Sequence, residues 1–296
     1  MSGRTESLRR KIESAGELNG VVRSMKALAA SSIGQYEDAV ESLNHYYRTV
    51  ELGLAACLRR SAPIVPPSSR NEKGPKKIGI VVFGSDQGLI GQFNEVLAKF
   101  TLDWFKPIPG RLTNIWGVGE CIQALIFVSG SNPVIPLEVP TSVFGITRLI
   151  DRILIDIEAA RERGDIDDVY IFHNRPKAGA IFEPVARRLL PLDHLWQNSL
   201  AVLPWPTKNP PEVIGEKQDV FDAFVRGYLF VLLFQACAES LASENASRLA
   251  DMQRAEKNIQ EVLEDLSRTF HRIRQESIDE ELFDVISGYE ARAKVG

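Results

Sequence analysis

The C-terminal stretch of this sequence is the feature that most limits its possible folds. The segment from Glu244 to Ala291 contains no Pro, and its only Gly is Gly288. A proline-free segment with helical periodicity predicts one continuous helix, which we expect to run from about Asp219 to about Ser287. At 1.5 Å per residue, such a helix of about 70 residues would be about 100 Å long. Its later apolar residues recur at helical spacing: Leu249, Met252, Ile259, Leu263, Leu266, Phe270 and Ile273.

A second long helix is predicted at the other end of the chain. From Arg4 to about Arg60 there is no Pro, and apolar residues recur in steps of three and four, as a coiled-coil seam requires. Three interior glycines, Gly16, Gly20 and Gly34, each weaken this helix by about 1 kcal/mol relative to Ala. The predicted seam consists of Leu8, Ile12, Ala15, Leu18, Val22, Met25, Ala29, Ile33, Tyr36, Val40, Leu43, Tyr47, Val50, Leu54 and Cys57.

The two terminal helices can cover each other as a long antiparallel coiled coil, because each has one apolar seam. The first helix is shorter than the last, so part of the last helix must stay bare or be covered by another protein. We expect the bare part to be the segment FDVISGYEA, with Leu282, Phe283, Val285 and Ile286 exposed. An exposed apolar end of this kind predicts a binding surface.

The middle of the chain has the pattern of an α/β domain. Ile78–Phe83 is a short β-branched run bounded by turn residues, and strands are also predicted at 114–119 and 167–174, with helix-like sequence between them. Pro-rich stretches separate this region from the helices. The chain therefore divides into a helix at 1–60, a linker at 61–75, an α/β domain at 76–205, a linker at 206–218 and a helix at 219–296.

Composition excludes several classes of protein. The net charge of −4 gives no bulk basic field, so nucleic-acid binding is not favoured. Three widely spaced cysteines without a CxxC pair predict neither a disulfide framework nor a zinc site, and none of the four histidines stands in a HExxH motif. The charged N-terminus is not a secretory signal, and the apolar run Tyr228–Phe234 is too short to span a membrane.

One turn could carry chemistry. The segment GSDQGLIGQFN at 84–94 follows a predicted strand and precedes a helix, so its backbone N–H groups could cradle a phosphate. It matches neither GxGxxG nor GxxxxGK[ST], and a tight strand-to-helix turn permitted by Gly88 and Gly91 is the favoured interpretation. Ser85 and Asp86 lack the surroundings of a nucleophile elbow. His173 is a candidate base, although a structural, hydrogen-bonded histidine is the more common case.

Four segments together resemble the gamma subunit of F-type ATP synthases. SMKALAAS at 24–31 is similar to the family's Met-Lys-x-x-Ala-Ala-Ser, and SDQGLIGQFN at 85–94 is similar to its Ser-Asp-Arg-Gly-Leu-Cys-Gly-Gly-x-Asn. SENASRLADMQRAEKNI at 243–259 and RQESIDEELFDVISGYEA at 274–291 are similar to its two C-terminal patterns. Order, spacing and length agree over nearly the whole chain.

The resemblance implies a central rotor without catalytic residues, cofactor, metal or bound nucleotide. Paired terminal helices would turn inside a ring of alpha and beta subunits, and a Rossmann-like α/β domain would lie against epsilon and the membrane ring of c subunits. The complex would sit at the cytoplasmic face of a prokaryotic cell membrane. The residues that match the family's ring contacts, together with the bare apolar tip, are Met25, Lys26, Arg274, Gln275, Leu282 and Ile286.

Departures from the family pattern indicate a divergent branch, such as an alternate F-type ATPase. Gly20 occupies the position of the family's Lys, Gly91–Gln92 that of its Gly-Gly, and His271 that of its Asn. The coupling ion, proton or sodium, stays open. Two other functions also stay open from the residues alone: a stand-alone nucleotide-binding enzyme that uses GSDQGLIG as its phosphate loop, and a coiled-coil scaffold unrelated to ATPases.

Overall fold

A computed structural model describes residues 2–59, 76–106, 110–128, 134–178, 180–192, 194–209, 211–212 and 214–293. The predicted linker at 61–75 lies outside the described residues. In chain order, one very long helix precedes an α/β region and a second very long helix follows it. The elements are α1 (Ser2–Arg59), β1 (Lys76–Phe83), α2 (Phe93–Phe105), β2 (Gly110–Val118), α3 (Glu120–Val128), β3 (Val134–Leu137), α4 (Val143–Glu162), β4 (Asp168–Lys177), β5 (Ala180–Leu190), α5 (His194–Ala201) and α6 (Lys217–Ala293).

The sheet has five strands in the order β3-β2-β1-β4-β5. β1 pairs in parallel with both β2 and β4, and β2 with β3, whereas β5 runs antiparallel to β4. The strand order reverses between β1 and β4, and the carboxyl edge at such a switch point is where ligands bind in open α/β sheets. Both edge strands contain a proline, Pro136 in β3 and Pro184 in β5. Proline is tolerated there because an edge strand has N–H groups without a ladder partner.

Two hydrophobic clusters cover the two faces of the sheet. One cluster packs α2 and α3 against β1 and β2 through Leu97, Ile122 and Ile126. The other packs α4, α6 and the C-terminal part of α1 against the opposite face, with Trp116 and Phe83 fully buried. The apolar run of α6 from Tyr228 to Phe234 belongs to this second cluster. Burial of these side chains is the main force that holds the sheet and its helices together.

The two terminal helices end within a few residues of the bounds that the sequence predicts. α6 begins at Lys217, inside the predicted linker at 206–218, and continues past Ser287. α1 continues without interruption through Gly16, Gly20 and Gly34, and open space surrounds each of these glycines. Helix termini are the least reliable part of a sequence prediction, so a shift of this size is expected.

The seam of α1 departs from the prediction at one point. Most shielded positions recur in steps of four and three, and Asn19 falls on the seam whereas Leu18 is 53% exposed. The prediction of Leu18 as a seam residue is therefore wrong. The apolar character of Leu18 suggested the assignment, but a step of four from Ala15 and three to Val22 selects residue 19. From residue 8 to residue 29, the shielded positions are Leu8, Ile12, Ala15, Asn19, Val22, Met25, Lys26 and Ala29.

The chain forms two compact units. Unit 1 consists of residues 1–29 and 249–296, and unit 2 of residues 30–248. Within unit 1 the helices are antiparallel, because Arg23 pairs with Glu256 whereas residues 6–15 of α1 line a groove with Val262 and Leu266. Within unit 2, Tyr47 stacks on Tyr228 and Gly53 lies against Phe224, which is again an antiparallel arrangement.

Candidate functional site

The turn after β1 is held by its own side chains. The backbone N–H of Ser85 donates to Asn94 Oδ1 (3.1 Å), and Asn94 Nδ2 donates to Ser85 Oγ (2.8 Å). Both side chains are buried. Gly91 has φ 59°, a conformation that glycine adopts without the steric cost that a Cβ brings. Gly88 faces open space, and the non-glycine residue Leu89 also has a positive φ of 60°.

The carboxylate of Asp86 accepts hydrogen bonds from two backbone N–H groups outside its own turn. Its Oδ1 accepts a hydrogen bond from the N–H of Glu120 (3.0 Å), the first residue of α3. Its Oδ2 accepts from the N–H of Val139 (3.2 Å), in the segment between β3 and α4. Helix N-termini attract anions because their first N–H groups have no partner within the helix. Here a carboxylate of the chain satisfies one of these groups, so the turn joins three segments of the fold.

The carboxyl edge of the sheet between β1 and β4 is filled. Ser240 of α6 donates a hydrogen bond to the carbonyl of Phe83, the last residue of β1 (2.9 Å). Asn174 of β4 donates to the carbonyl of Phe93 (3.1 Å). A Cβ at Gly119, at the end of β2, would come within 2.6 Å of the Ser85 backbone. The crevice in which an α/β enzyme would bind its ligand is therefore occupied by α6 and by the turn itself.

His173 stands at the end of β4, as the sequence predicts, and it is paired with α6. Its Nε2 lies 2.8 Å from Glu239 Oε2, and its side chain is 6% exposed. Burial by itself would raise the pKa of Glu239, but the hydrogen bond and charge of His173, together with a hydrogen bond from Gln235, hold that pKa below its usual value. The pair holds α6 to the sheet, which is a structural role. Among the described residues, no group of His, Cys, Asp and Glu could hold a metal ion.

A second buried carboxylate on α6 has the opposite electrostatic character. Glu244 Oε1 accepts a hydrogen bond from Arg248 (2.7 Å), and the side chain of Glu244 is 8% exposed. Burial raises the pKa of Glu244, the Arg248 guanidinium opposes this rise, and the carboxylate of Asp86 adds to it. α6 therefore carries two carboxylates, five residues apart, whose pKa values move in opposite directions.

The residues predicted to contact a partner ring all lie in unit 1, on two different helices. Met25 and Lys26 are partly shielded on α1, whereas Arg274 and Gln275 are exposed on α6. The structure brings neither Met25 nor Lys26 to Arg274; Lys26 Nζ lies instead 2.5 Å from Glu256 Oε2. Arg274 has no hydrogen bond or ion pair with any residue in the part of the chain that the structure describes. Its guanidinium is therefore available to another molecule.

The end of α6 is bare in the structure. Among the side chains that the structure describes on α6, which extend to Ile286, Ile273 is the last buried one. Ile278, Leu282, Phe283, Val285 and Ile286 are 46–71% exposed. Lys26 lies opposite Glu256 and α1 begins at Ser2, so the antiparallel partner ends near Glu280. At 1.5 Å per residue, about 20 Å of helix extends from Glu280 to Ala293.

Part of α6, within Gln218–Ile286, is long and apolar enough to cross a membrane by length and composition alone. Half of that apolar window is buried inside the structure. The same composition is typical of a helix in a protein core.

Comparison with known proteins identifies the family. The ATP synthase family model matches residues 4–291. A protein of Polynucleobacter asymbioticus named ATP synthase gamma chain is 26% identical over 290 residues, which cover 96% of this chain and 98% of that protein. The ATP synthase gamma chain of Nitrosomonas europaea is 27% identical over 290 residues with the same coverage. The chain belongs to the ATP synthase gamma-subunit family.

Solved structures agree with this assignment at the level of the fold. A chain of the mitochondrial ATP synthase of Euglena gracilis, in its OSCP/F1/c-ring assembly, aligns with a TM-score of 0.65 at 16% identity. The alignment covers 98% of this chain and 95% of that chain. A chain of the rotor from the same synthase aligns with a TM-score of 0.61 over 94% of this chain and all of that one. The predicted combination of long terminal helices and a central α/β domain is confirmed.

Membership in the gamma-subunit family decides between the functions that the residues left open. Gamma chains are subunits of the membrane-associated ATP synthase complex, and the filled carboxyl edge of the sheet agrees with this rather than with a stand-alone nucleotide-binding enzyme. Glu256, which is paired with Lys26 and Arg23, was not among the residues predicted from the sequence. The apolar pattern of α6 gives no signal for it, because Ala255 completes the steps of three and four between Met252 and Ile259.

Proposed function

We propose that this chain is the central-stalk rotor subunit of a rotary F-type ATP synthase. The two terminal helices form the shaft, which turns inside the alternating alpha and beta subunits. The α/β domain, for which we propose the boundaries 76–205, faces epsilon and the ring of c subunits. Rotation couples ion translocation to ATP synthesis or hydrolysis at the alpha–beta ring. The chain itself contributes no catalytic residue, and the complex lies at the cytoplasmic face of the membrane.

The observation that supports this function best is the bare end of α6. A cluster of exposed apolar side chains on an unpaired helix is unfavourable in water, because each leaves apolar surface hydrated. An apolar sleeve formed by a ring of subunits would cover Leu282 and Ile286 on every side without fixing the angle of the helix. Contacts that are apolar and non-directional suit a shaft that must turn, since they change little with rotation.

A rotor also needs a few points at which it exerts force on the ring. Arg274 and Gln275 fall on the family's Arg-Gln pair, and we propose that both hydrogen-bond to a beta subunit. Arg274 is suited to this because it is exposed and has no ion pair among the described residues. We assign Met25 and Lys26 a second contact with a beta subunit. About a third of the Lys26 side chain (34%) stays exposed while the residue is ion-paired, so one side of it is accessible.

The first test is the composition of the complex. The chain is co-expressed with alpha and beta subunits encoded in the same genome, and the product is weighed by native mass spectrometry. We expect a complex of three alpha subunits, three beta subunits and one copy of this chain that hydrolyses ATP. A stable free monomer that ignores both partners would contradict the rotor function, and nucleotide binding to the turn at 84–91 would then be measured.

The second test concerns the contact residues. In the membrane-bound complex, Arg274→Ala is expected to reduce ion pumping per ATP hydrolysed, because a hydrogen bond to a charged group contributes about 1.5–3 kcal/mol. Gln275→Ala should act in the same direction with a smaller effect. The matched control is Arg268→Ala, since Arg268 is equally exposed but already paired with Asp265 on its own helix. Equal pumping in the Arg274 variant and the control would contradict the assignment.

A further inference from the structure

One layer of the helix pair in unit 1 is charged on both helices. The shielded positions of α1 include 15, 19, 22, 25, 26 and 29, so Lys26 lies at the seam beside Met25. The shielded positions of α6 include 249, 252, 255, 256, 259 and 263, so Glu256 lies at the seam beside Ala255. Lys26 Nζ and Glu256 Oε2 are 2.5 Å apart. An ion pair therefore lies at the seam, next to the apolar side chains of Met25 and Ala255.

Arg23 completes this layer. Its Nε lies 2.9 Å from Glu256 Oε1, so each carboxylate oxygen has its own cation. The hydrogen bond from Lys26, with that from Arg23, lowers the pKa of Glu256 and keeps its carboxylate ionised. Glu256 is well shielded, with 21% of its side chain exposed, whereas the Arg23 side chain is 61% exposed at the rim. Among the described residues, these two contacts are the only ion pairs that join α1 to α6.

The rest of the seam around this layer has few large apolar side chains. Apart from Met25, the shielded residues of α1 near Lys26 are Asn19, Val22 and Ala29, which are small or polar. The Oδ1 of Asn19 is buried without a hydrogen-bond partner among the described residues. Apolar contacts between such short side chains are non-directional and do not distinguish one heptad from the next. By themselves, they would permit α1 to pack against α6 in more than one register.

The ion pair does distinguish the registers. A slip of seven residues would place Lys26 against Leu249 or Leu263 and would leave the Glu256 carboxylate without Lys26. An unpaired charge in a shielded position is strongly unfavourable, whereas the pair in its native register satisfies both groups. Polar residues at single seam positions fix the register of coiled coils in this way, at some cost in stability.

We propose that the Lys26–Glu256 pair, supported by Arg23, sets the register of α1 against α6 in unit 1, so that Glu256 is a positioning residue of the shaft. Its importance for rotation rests on the proposed function, because a shaft whose helices slip past each other would lose torque between its two ends. The register itself is a property of the chain alone. The two parts of the proposal can therefore be tested separately.

The register is measured in the full-length chain with spin labels at Arg9→Cys and Lys257→Cys, in a Cys121→Ser background. Both labelled side chains are exposed. Cys57 and Cys237 are buried and should not react. A slip of one heptad moves one helix by about 10 Å along the other, which double electron–electron resonance resolves. The parent chain is expected to give a single narrow distance distribution.

Four variants complete this experiment. The apolar pair Lys26→Leu/Glu256→Leu should stay helical but give a second distance, shifted in line with a one-heptad slip. Glu256→Lys alone, which places like charges in one layer, should also lose the single distance. The reversed pair Lys26→Glu/Glu256→Lys should restore it. The control Glu6→Gln removes a charge from an exposed pair within α1 (Arg10–Glu6, 3.3 Å) and should change nothing.

The outcomes separate the register from the function. A single parental distance in both Glu256→Lys and the apolar pair would overturn the proposal, and so would a reversed pair that fails to restore it. In the membrane-bound complex, Glu256→Lys, which leaves the proposed beta-subunit contact residue Lys26 in place, is expected to lower ion pumping per ATP. If the parent chain forms no complex with alpha and beta subunits, the proposed function fails, but the distance measurement still decides the register.

Discussion

The two units of this chain are stabilised in different ways. In unit 2, helices cover both faces of a five-stranded sheet, and large side chains such as Trp116, Phe93 and Phe172 are completely buried. In unit 1, two helices have only each other, and the fully buried apolar side chains among its described residues are Val22, Ala29, Met252 and Ile273. Hydrophobic burial is therefore sufficient to specify unit 2. Unit 1 depends on a narrow seam, a charged layer and, by our proposal, on the subunits that surround it.

The largest expected effect is a loss of unfolding free energy when a leucine is truncated to alanine. Comparing one such leucine in each unit tests this difference directly. Leu97→Ala, at a fully buried site in unit 2, should lower the free energy of unfolding by about 2–5 kcal/mol, because it leaves a cavity between α2 and the sheet. Leu266→Ala, at a partly exposed site in unit 1, should cost less than half of that, since water already reaches the site. Urea denaturation followed by circular dichroism measures both values. Equal costs would remove the contrast between the units.

A smaller effect on stability tests how rigid the carboxyl edge of the sheet is. The test compares alanine substitutions at two glycines. Gly119 has φ 104°, and an added Cβ would meet the Ser85 backbone. Gly164 has φ 71°, and nothing lies within 4 Å of an added Cβ. Gly164→Ala should cost about 1–2 kcal/mol through the backbone conformation alone. Gly119→Ala should cost more, because the turn must also move, and thermal unfolding of the two variants gives the comparison.

A similar loss of thermal stability in the two glycine variants would mean that the turn at Ser85 can move at little energetic cost. The carboxyl edge would then be less rigid than its hydrogen bonds indicate.

The smallest effect concerns the pH dependence of unit 2. The folded-state pKa of Glu239 is lowered, so its contribution to stability is present above the unfolded value of about 4.5 and is lost as the pH falls through the folded value. The folded-state pKa of Glu244 is raised by burial, so its contribution is present below about 4.5 and is lost as the pH rises through the folded value. The two carboxylates should therefore respond oppositely to neutralisation.

Denaturation midpoints between about pH 3 and pH 7 test this opposition, because the unfolded pKa of both groups lies in that range. Glu239→Gln should weaken the loss of stability on acidification. Glu244→Gln should instead reduce the loss that the parent chain shows as the pH rises above 4.5. If both variants change the pH profile in the same direction, the assignment of one of the two pKa shifts is wrong.

Much of the architecture was predictable because its signals are local. The long helices follow from the absence of proline and from apolar residues at helical spacing. β1 follows from its β-branched run. The edge strands β3 and β5 were missed, because Pro136 and Pro184 interrupt the pattern of a strand. Their place in the sheet depends on pairing with β2 and β4, which no local pattern reports.

The roles of single polar residues were harder to predict. Asp86 was singled out within a possible phosphate loop, yet its carboxylate binds N–H groups 34 and 53 residues away. Lys26 was assigned by resemblance to a contact with another subunit, and the structure adds a partner within the chain, Glu256, 230 residues away. Glu256 itself was not predicted, because a charged residue next to Ala255 fits the pattern of an ordinary exposed helix face.

The sequence by itself determined the two helices, the α/β layer between them and the family. Helical periodicity and short motifs depend only on residues that are close together in the chain. Only the tertiary structure decided that the carboxyl edge of the sheet is filled by Ser240 and by the turn that carries Asp86. It alone paired Lys26 with Glu256. The physical reason is that these interactions join residues distant in the chain, and their strength depends on burial and distance, which neighbouring residues do not encode.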